Sequence, residues 1–189
     1  GRPLGSGGTV WPDGRKVVVG SAVYPDCKDD ACNKQRDAEL AQRKVKAKIF
    51  NHLFYRHWNA FTEFKRNHLF VLSAEADAAQ SGGTPARDLT PGDHDAPPFN
   101  LGGQDMYAIS PDSQEVAYTS NIDEVEAIST NKEIFIVPMV GGAPKKISTS
   151  PGSDSIPLYS RDGTNLAWLS MARGGYESDR SALMIYHRP

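Results

Sequence analysis

Glu124 and Glu126, in the run Ile122-Asp123-Glu124-Val125-Glu126, are acidic and loop-like. Carboxylates pair with cations, because a charge stripped of water must be paired. The competing reading is an acidic loop in solvent. A second candidate is Phe54-Tyr55-Arg56-His57-Trp58. Arg56 offers a partner for a carboxylate, and Trp58 a flat surface for a substrate or a linker. As an ordinary strand, the same run puts Tyr55 and His57 on one face and Arg56 and Trp58 on the other. The histidines are His52, His57, His68, His94 and His187. His52 and His57, five apart, face opposite sides of an extended chain, so no metal site is expected and no cofactor is implied. Cys27 and Cys32 flank Lys28-Asp29-Asp30-Ala31. The polar, turn-forming residues between them favour a small disulfide loop, which belongs to an oxidising compartment, over two free thiols. A structural zinc needs about four ligands, and no second cysteine pair exists to complete one. No serine lies in a Gly-x-Ser-x-Gly nucleophile elbow, so no catalytic residue is assigned.

Composition narrows the classes. The 189 residues carry 21 Lys and Arg against 23 Asp and Glu, a formal charge of −2. That balance, without a block of basic residues, argues against nucleic acid as a partner. No apolar run approaches the roughly 18 residues of a membrane-spanning helix. Gly and Pro, 17 and 13 residues, fall between short apolar runs, as in an all-β protein rich in turns.

An internal repeat organises these runs. Its first half is an apolar strand, an Asp-centred turn and a second apolar strand. The copies centre on Trp11-Pro12-Asp13-Gly14, Ser110-Pro111-Asp112-Ser113 and Ser160-Arg161-Asp162-Gly163. Pro presets the first corner, Asp bonds back to nearby amides and Gly accepts positive φ. The second half is strand, Gly-Gly turn, strand. It appears as His68–Leu72 with Gly82-Gly83, and as Glu133–Val137 with Gly141-Gly142. Asp112 and Asp162 lie 50 residues apart, near the length of a four-stranded propeller blade. Asp13 and Asp112 lie 99 apart, so the first repeat holds an insertion over 22–66. Its stretch Asp30 to Lys44 has no Gly or Pro, and Asp29 or Asp30 can cap it, which predicts a short surface helix.

The expected fold is therefore all-β: an incomplete β-propeller of about two to three antiparallel blades with one short helical insertion. Residues 1–8, Gly-rich, are expected to be a tag or linker remnant, and 9–189 the partial propeller. Repeat 1 spans 9–99, repeat 2 spans 100–156 and a truncated repeat 3 spans 157–189. So few blades cannot close a ring, and the outer ones would show unpaired edges, so the chain is expected to be part of something longer.

The Ser-Pro-Asp-Gly turn followed by Gly-Gly-x-Pro-(Lys/Arg)-x-Leu-Thr resembles the TolB-like and prolyl oligopeptidase propeller repeats. Ser110-Pro111-Asp112-Ser113 and Ser160-Arg161-Asp162-Gly163 each keep three of the four turn positions, and Trp11-Pro12-Asp13-Gly14 lacks the Ser. Four further segments, Val23–Cys27, Phe54–Asn59, Lys65–Val71 and Tyr176–Arg180, look like the propeller of the dipeptidyl-peptidase V-like and acylaminoacyl-peptidase-like branch. The resemblance implies a secreted or periplasmic serine exopeptidase. Its α/β-hydrolase domain would follow this chain and carry the triad, for which no position here matches. The propeller would gate short peptide substrates and help bind them, with Arg56, Trp58, Glu124 and Glu126 as candidate substrate-binding residues. The alternative is a free-standing TolB-like propeller that binds a protein or ligand.

Overall fold

The computed structural model describes residues 9–10, 14, 16–51, 53–57, 60–73, 86–98 and 106–189. The short apolar runs form strands because their β-branched and aromatic side chains fit a pleated surface packed on its neighbours. β1 (Thr9–Val10) and β2 (Lys16–Val23) begin the first sheet. Chain 24–65 then leaves it as an insertion carrying α1 (Asp30–Gln42) and a small hairpin of β3 (Arg56–His57) and β4 (Ala60–Phe61). The chain returns through β5 (Arg66–Ser73) and β6 (Arg87–Asp88), giving the order β1-β2-β5-β6. The second sheet is β7 (Tyr107–Ile109), β8 (Glu115–Ser120), β9 (Glu133–Pro138) and β10 (Lys145–Lys146), paired in sequence. The third is β11 (Asp154–Tyr159), β12 (Asn165–Ser170) and β13 (Ala182–His187). All of these pairings are antiparallel, as in successive propeller blades.

Alternation along the middle sheet shows how the blades stack. On β8 and β9, Val116, Tyr118, Phe135 and Val137 pack toward the first blade, against Val18, Leu69, Val71 and Leu89. The residues between them, Ala117, Ile134 and Ile136, pack toward the third, against Tyr159, Leu166 and Trp168. The middle blade is thus apolar on both faces because it is covered on both. Each fully buried side chain of this kind is worth about 2 kcal/mol. The third blade is covered on one face only, and Leu158, Leu183 and Ile185 stand largely exposed on the other.

The turns repeat one wiring. The Ser110 hydroxyl donates to Asp112 Oδ1 at 2.6 Å, and the Gln114 amide donates to the same oxygen at 3.1 Å. In the third blade the Ser160 hydroxyl reaches Asp162 Oδ1 at 2.6 Å, and the Thr164 amide does so at 3.1 Å. Ser and Asp carry the wiring, which is why Arg161 replaces Pro111 without changing it. Gly163 takes the left-handed conformation, φ 73°, and Ser113 is held at φ 62° in the matching place. The Asp13 turn and the Gly82-Gly83 turn lie outside the described residues.

The insertion is held by polar contacts. α1 has no buried residue, and Asp29 caps it by accepting from the Cys32 amide at 2.8 Å. Cys27 and Cys32 are joined as a disulfide, with Cα atoms 5.5 Å apart. Tyr24 is buried between helix and sheet, with its hydroxyl donating to Asp37 at 2.9 Å and the Arg36 and Lys65 cations against its ring. Among the described residues, the strand after the helix pairs with no blade strand: Arg56–His57 pairs with Ala60–Phe61. Among the described residues, no helix is long and apolar enough to cross a membrane.

Candidate functional site

Antiparallel order sends alternate connections to opposite ends of the sheets. One end carries the tight Asp turns. The other carries the long connections: the insertion, the 121–132 loop of the middle blade and the 171–181 loop of the third. Long loops on a rigid scaffold are where binding residues concentrate.

Arg66, the first residue of β5, is the hub of this end. Its Nε donates to Asp93 at 2.8 Å, and its Nη1 reaches Asp95 at 3.2 Å and also Glu126. Burial acts to lower the guanidinium pKa, but Asp93, Glu126 and Asp95 override it and push it up. Asp95 is itself fixed, since its Oδ1 accepts the Asn67 amide at 2.7 Å and its carbonyl accepts the Ser120 hydroxyl at 2.7 Å. The loop that carries Asp93 and Asp95 is pinned again at Gly92, whose carbonyl lies 2.9 Å from His68 Nε2, and Asp88 lies 2.7 Å from His68 Nδ1. Buried His68 thus acts as a post under the loop.

Above Arg66 lies a cleft of about 420 Å³ lined by Leu53, Asp93, His94 and the whole of 121–127. Its lining holds four carboxylates, Asp93, Asp123, Glu124 and Glu126, and one guanidinium, Arg66, so the cleft is acidic. His94 adds no compensating charge at neutral pH: burial holds its imidazole pKa below the ordinary value, with His68 and Arg66 adding to the effect. A second cleft of about 240 Å³ shares Arg66 and Asp93 and is walled by Phe50, Phe54 and Phe64 of the insertion. Phe50 stacks on Tyr55, Phe61 and Phe64 with ring centroids 4.9, 5.6 and 4.9 Å apart. The arrangement can neutralise a cation and lay an apolar group beside it.

The sequence candidates divide. Glu124 and Glu126 both line the acidic cleft, Glu126 tied to Arg66 and Glu124 exposed at the surface. Arg56 is exposed on the hairpin and lines neither cleft. Trp58 lies outside the described residues. Sequence reasoning missed Arg66, Asp93 and Asp95. The available signal was Asp93-His94-Asp95, near the end of the first repeat, where a blade-to-blade crossing is due.

No family model matches the chain. Dipeptidyl-peptidase 5 of Porphyromonas gingivalis is 34% identical over 146 residues, covering 75% of this chain and 21% of that protein. Dipeptidyl-peptidase 5 of Trichophyton equinum is 32% identical over 165 residues, covering 79% and 22%. The crystal structure of TolB from Acinetobacter baumannii matches 98% of this chain and 30% of its own, with a TM-score of 0.50. The chain is dipeptidyl-peptidase-like, with a TolB-like propeller portion. At 11% identity the TolB likeness is one of fold. The propeller portion spans about a fifth of the length of the curated relatives it matches. Its strands follow the order of blades, and its acidic cleft sits where the first two blades meet.

Proposed function

We propose that this chain is the non-catalytic propeller part of a secreted or periplasmic serine exopeptidase, which gates short peptides and helps to bind them. The chemistry belongs to a Ser-His-Asp triad in an α/β-hydrolase domain of the same parent protein. The observation that carries the reading is the acidic cleft over Arg66. It draws carboxylates from the middle-blade loop and the blade connection to one place. A dipeptidyl peptidase must recognise a free amino terminus, and that ammonium needs carboxylates once it leaves water. Glu126, Asp93 and Asp95 are spent on Arg66. Glu124 is engaged in no ion pair among the described residues and is the carboxylate left to meet an incoming cation. Arg66 offsets the mutual repulsion of Asp93, Asp95 and Glu126.

The test uses the full-length protein and a chromogenic dipeptidyl substrate at low salt. Glu124→Gln raises KM about tenfold with kcat unchanged, the loss expected for one charge-assisted hydrogen bond. N-acetylation of the substrate abolishes turnover by the wild type. Equal rates on free and acetylated substrate, or an unchanged KM in the variant, would sink the assignment of the ammonium to this cleft.

A further inference from the structure

The insertion carries a cationic stretch free of acidic residues. From Leu40 to Thr62 there are five Lys and Arg and no Asp or Glu. The chain as a whole carries −2, so the remaining residues carry −7. Such an asymmetry points to an anionic partner. Four of the cations fall within six residues, in Arg43-Lys44-Val45-Lys46-Ala47-Lys48-Ile49. This segment leaves the end of α1 and belongs to no helix or strand. All of its residues are exposed, Val45 at 72% and Ile49 at 84%.

Most of this charge is not cancelled locally. Among the described residues, no carboxylate pairs with Arg43, Lys44 or Lys46. Lys46 donates to the Ala41 carbonyl at 2.7 Å, a neutral acceptor that leaves its charge standing. Lys48 meets Glu63 at 2.9 Å, and its ammonium lies 4.8 Å from the centre of the Phe61 ring. The other carboxylates of the insertion have partners of their own: Asp26 pairs with Arg36, Asp37 with Lys65, and Glu39 accepts from Gln35. The segment ends at Phe50, whose stack on Tyr55, Phe61 and Phe64 anchors it. Val45 and Ile49 are aliphatic and offer no flat face on which a base could stack. Aliphatic side chains between cations suit hydrocarbon beside phosphate, as at a lipid surface, rather than a nucleic acid.

We propose that the 43–49 segment docks on an anionic lipid surface. Arg43, Lys44 and Lys46 meet the headgroup phosphates, and Val45 and Ile49 enter the boundary between headgroups and acyl chains. Each cation is worth about fivefold in affinity at such a surface, so the attachment is reversible and weakens with salt. The proposal goes beyond the peptidase reading and stands without it, because it uses none of the residues around Arg66.

Co-sedimentation of the full-length protein with lipid vesicles at low salt tests it. Vesicles of equimolar phosphatidylcholine and phosphatidylglycerol are compared with vesicles of phosphatidylcholine alone. The wild type binds the mixed vesicles and leaves the neutral ones in suspension without it. Arg43→Gln combined with Lys44→Gln weakens binding about tenfold or more. Val45→Ser combined with Ile49→Ser weakens it by about tenfold as well, through lost apolar contact. All four side chains are exposed, and circular dichroism establishes that each variant is folded. No binding to the mixed vesicles, equal binding to the neutral ones, or unchanged binding in either folded variant overturns the proposal. A DNA duplex bound equally well by the wild type and by the Val45→Ser, Ile49→Ser variant would transfer the segment to nucleic acid and overturn it too.

Discussion

Arg66 and Arg188 do similar chemistry at opposite ends of the sheets, with different results. Each guanidinium is largely buried, with side chains 16% and 15% exposed, and each ties adjacent blades through carboxylates. Arg188, just past β13, donates to Glu115 at 2.9 Å, Asp112 at 2.8 Å and the Gly163 carbonyl at 2.6 Å, and lies over the Tyr159 ring. Its partners belong to tight turns that close on themselves, so the cluster is a lock. The partners of Arg66 belong to long connections, and a lining surface remains around them on two sides. An ion pair becomes a recognition site only where the surrounding backbone leaves room.

The comparison can be broken most sharply at Arg66. Arg66→Ala strands Asp95 and Glu126, which are 17% and 14% exposed. Stranding partly buried carboxylates costs about 3 kcal/mol. Thermal denaturation of the full-length protein reads this as a lower midpoint for the propeller transition. Arg188→Ala is expected to cost about 1.5 kcal/mol, because Asp112 is 47% exposed and solvent screens much of its pairing. Equal losses in the two variants would remove the distinction drawn above.

A gain is expected at the turn end. Ser113→Gly relieves a left-handed serine at φ 62°, in the place where the third blade has Gly163, and stabilises by about 1 kcal/mol in the same melt. The smallest effect is a pH dependence of opposite sign at the two ends. Burial acts to raise the Asp112 carboxyl pKa, but Ser110 and Arg188 outweigh it and hold it below 3.8. The folded chain then binds fewer protons than the unfolded one, so this stability is present above the unfolded value and lost as pH falls through the folded one. Asp154, raised by burial, behaves in reverse: its contribution is present below 3.8 and lost as pH rises through its folded pKa. Melting midpoints against pH for Asp112→Asn and Asp154→Asn should flatten opposite limbs of the curve.

What was readable in the sequence follows the range of the interactions. The Ser-x-Asp turns close within five residues, so Ser160 and Asp162 announce their own geometry. The helix was also local: Asp29 caps it, and the absence of Gly and Pro lets it run to Gln42. Arg66 meets Asp93 27 residues on and Glu126 60 residues on, and only blade stacking brings them together. No short pattern marks that meeting. Among the described residues, the aromatic density around Tyr55 takes the form of a stack of Phe50 with Tyr55, Phe61 and Phe64. Arg56–His57 does form a strand, but it pairs with Ala60–Phe61 in a small hairpin flanked by positive φ at Phe54, Glu63 and Phe64.

The helix α1 has an unusual freedom. It owes its position to a bridge at its base and to Tyr24, Arg36, Asp37 and Lys65, while none of its side chains enters a core. It is an outrigger on a short mast. Its outward residues, such as Glu39 and Gln42, are open to redesign as a handle for labels, grafted epitopes or surface immobilisation, and the sheets beneath would carry the load without repacking.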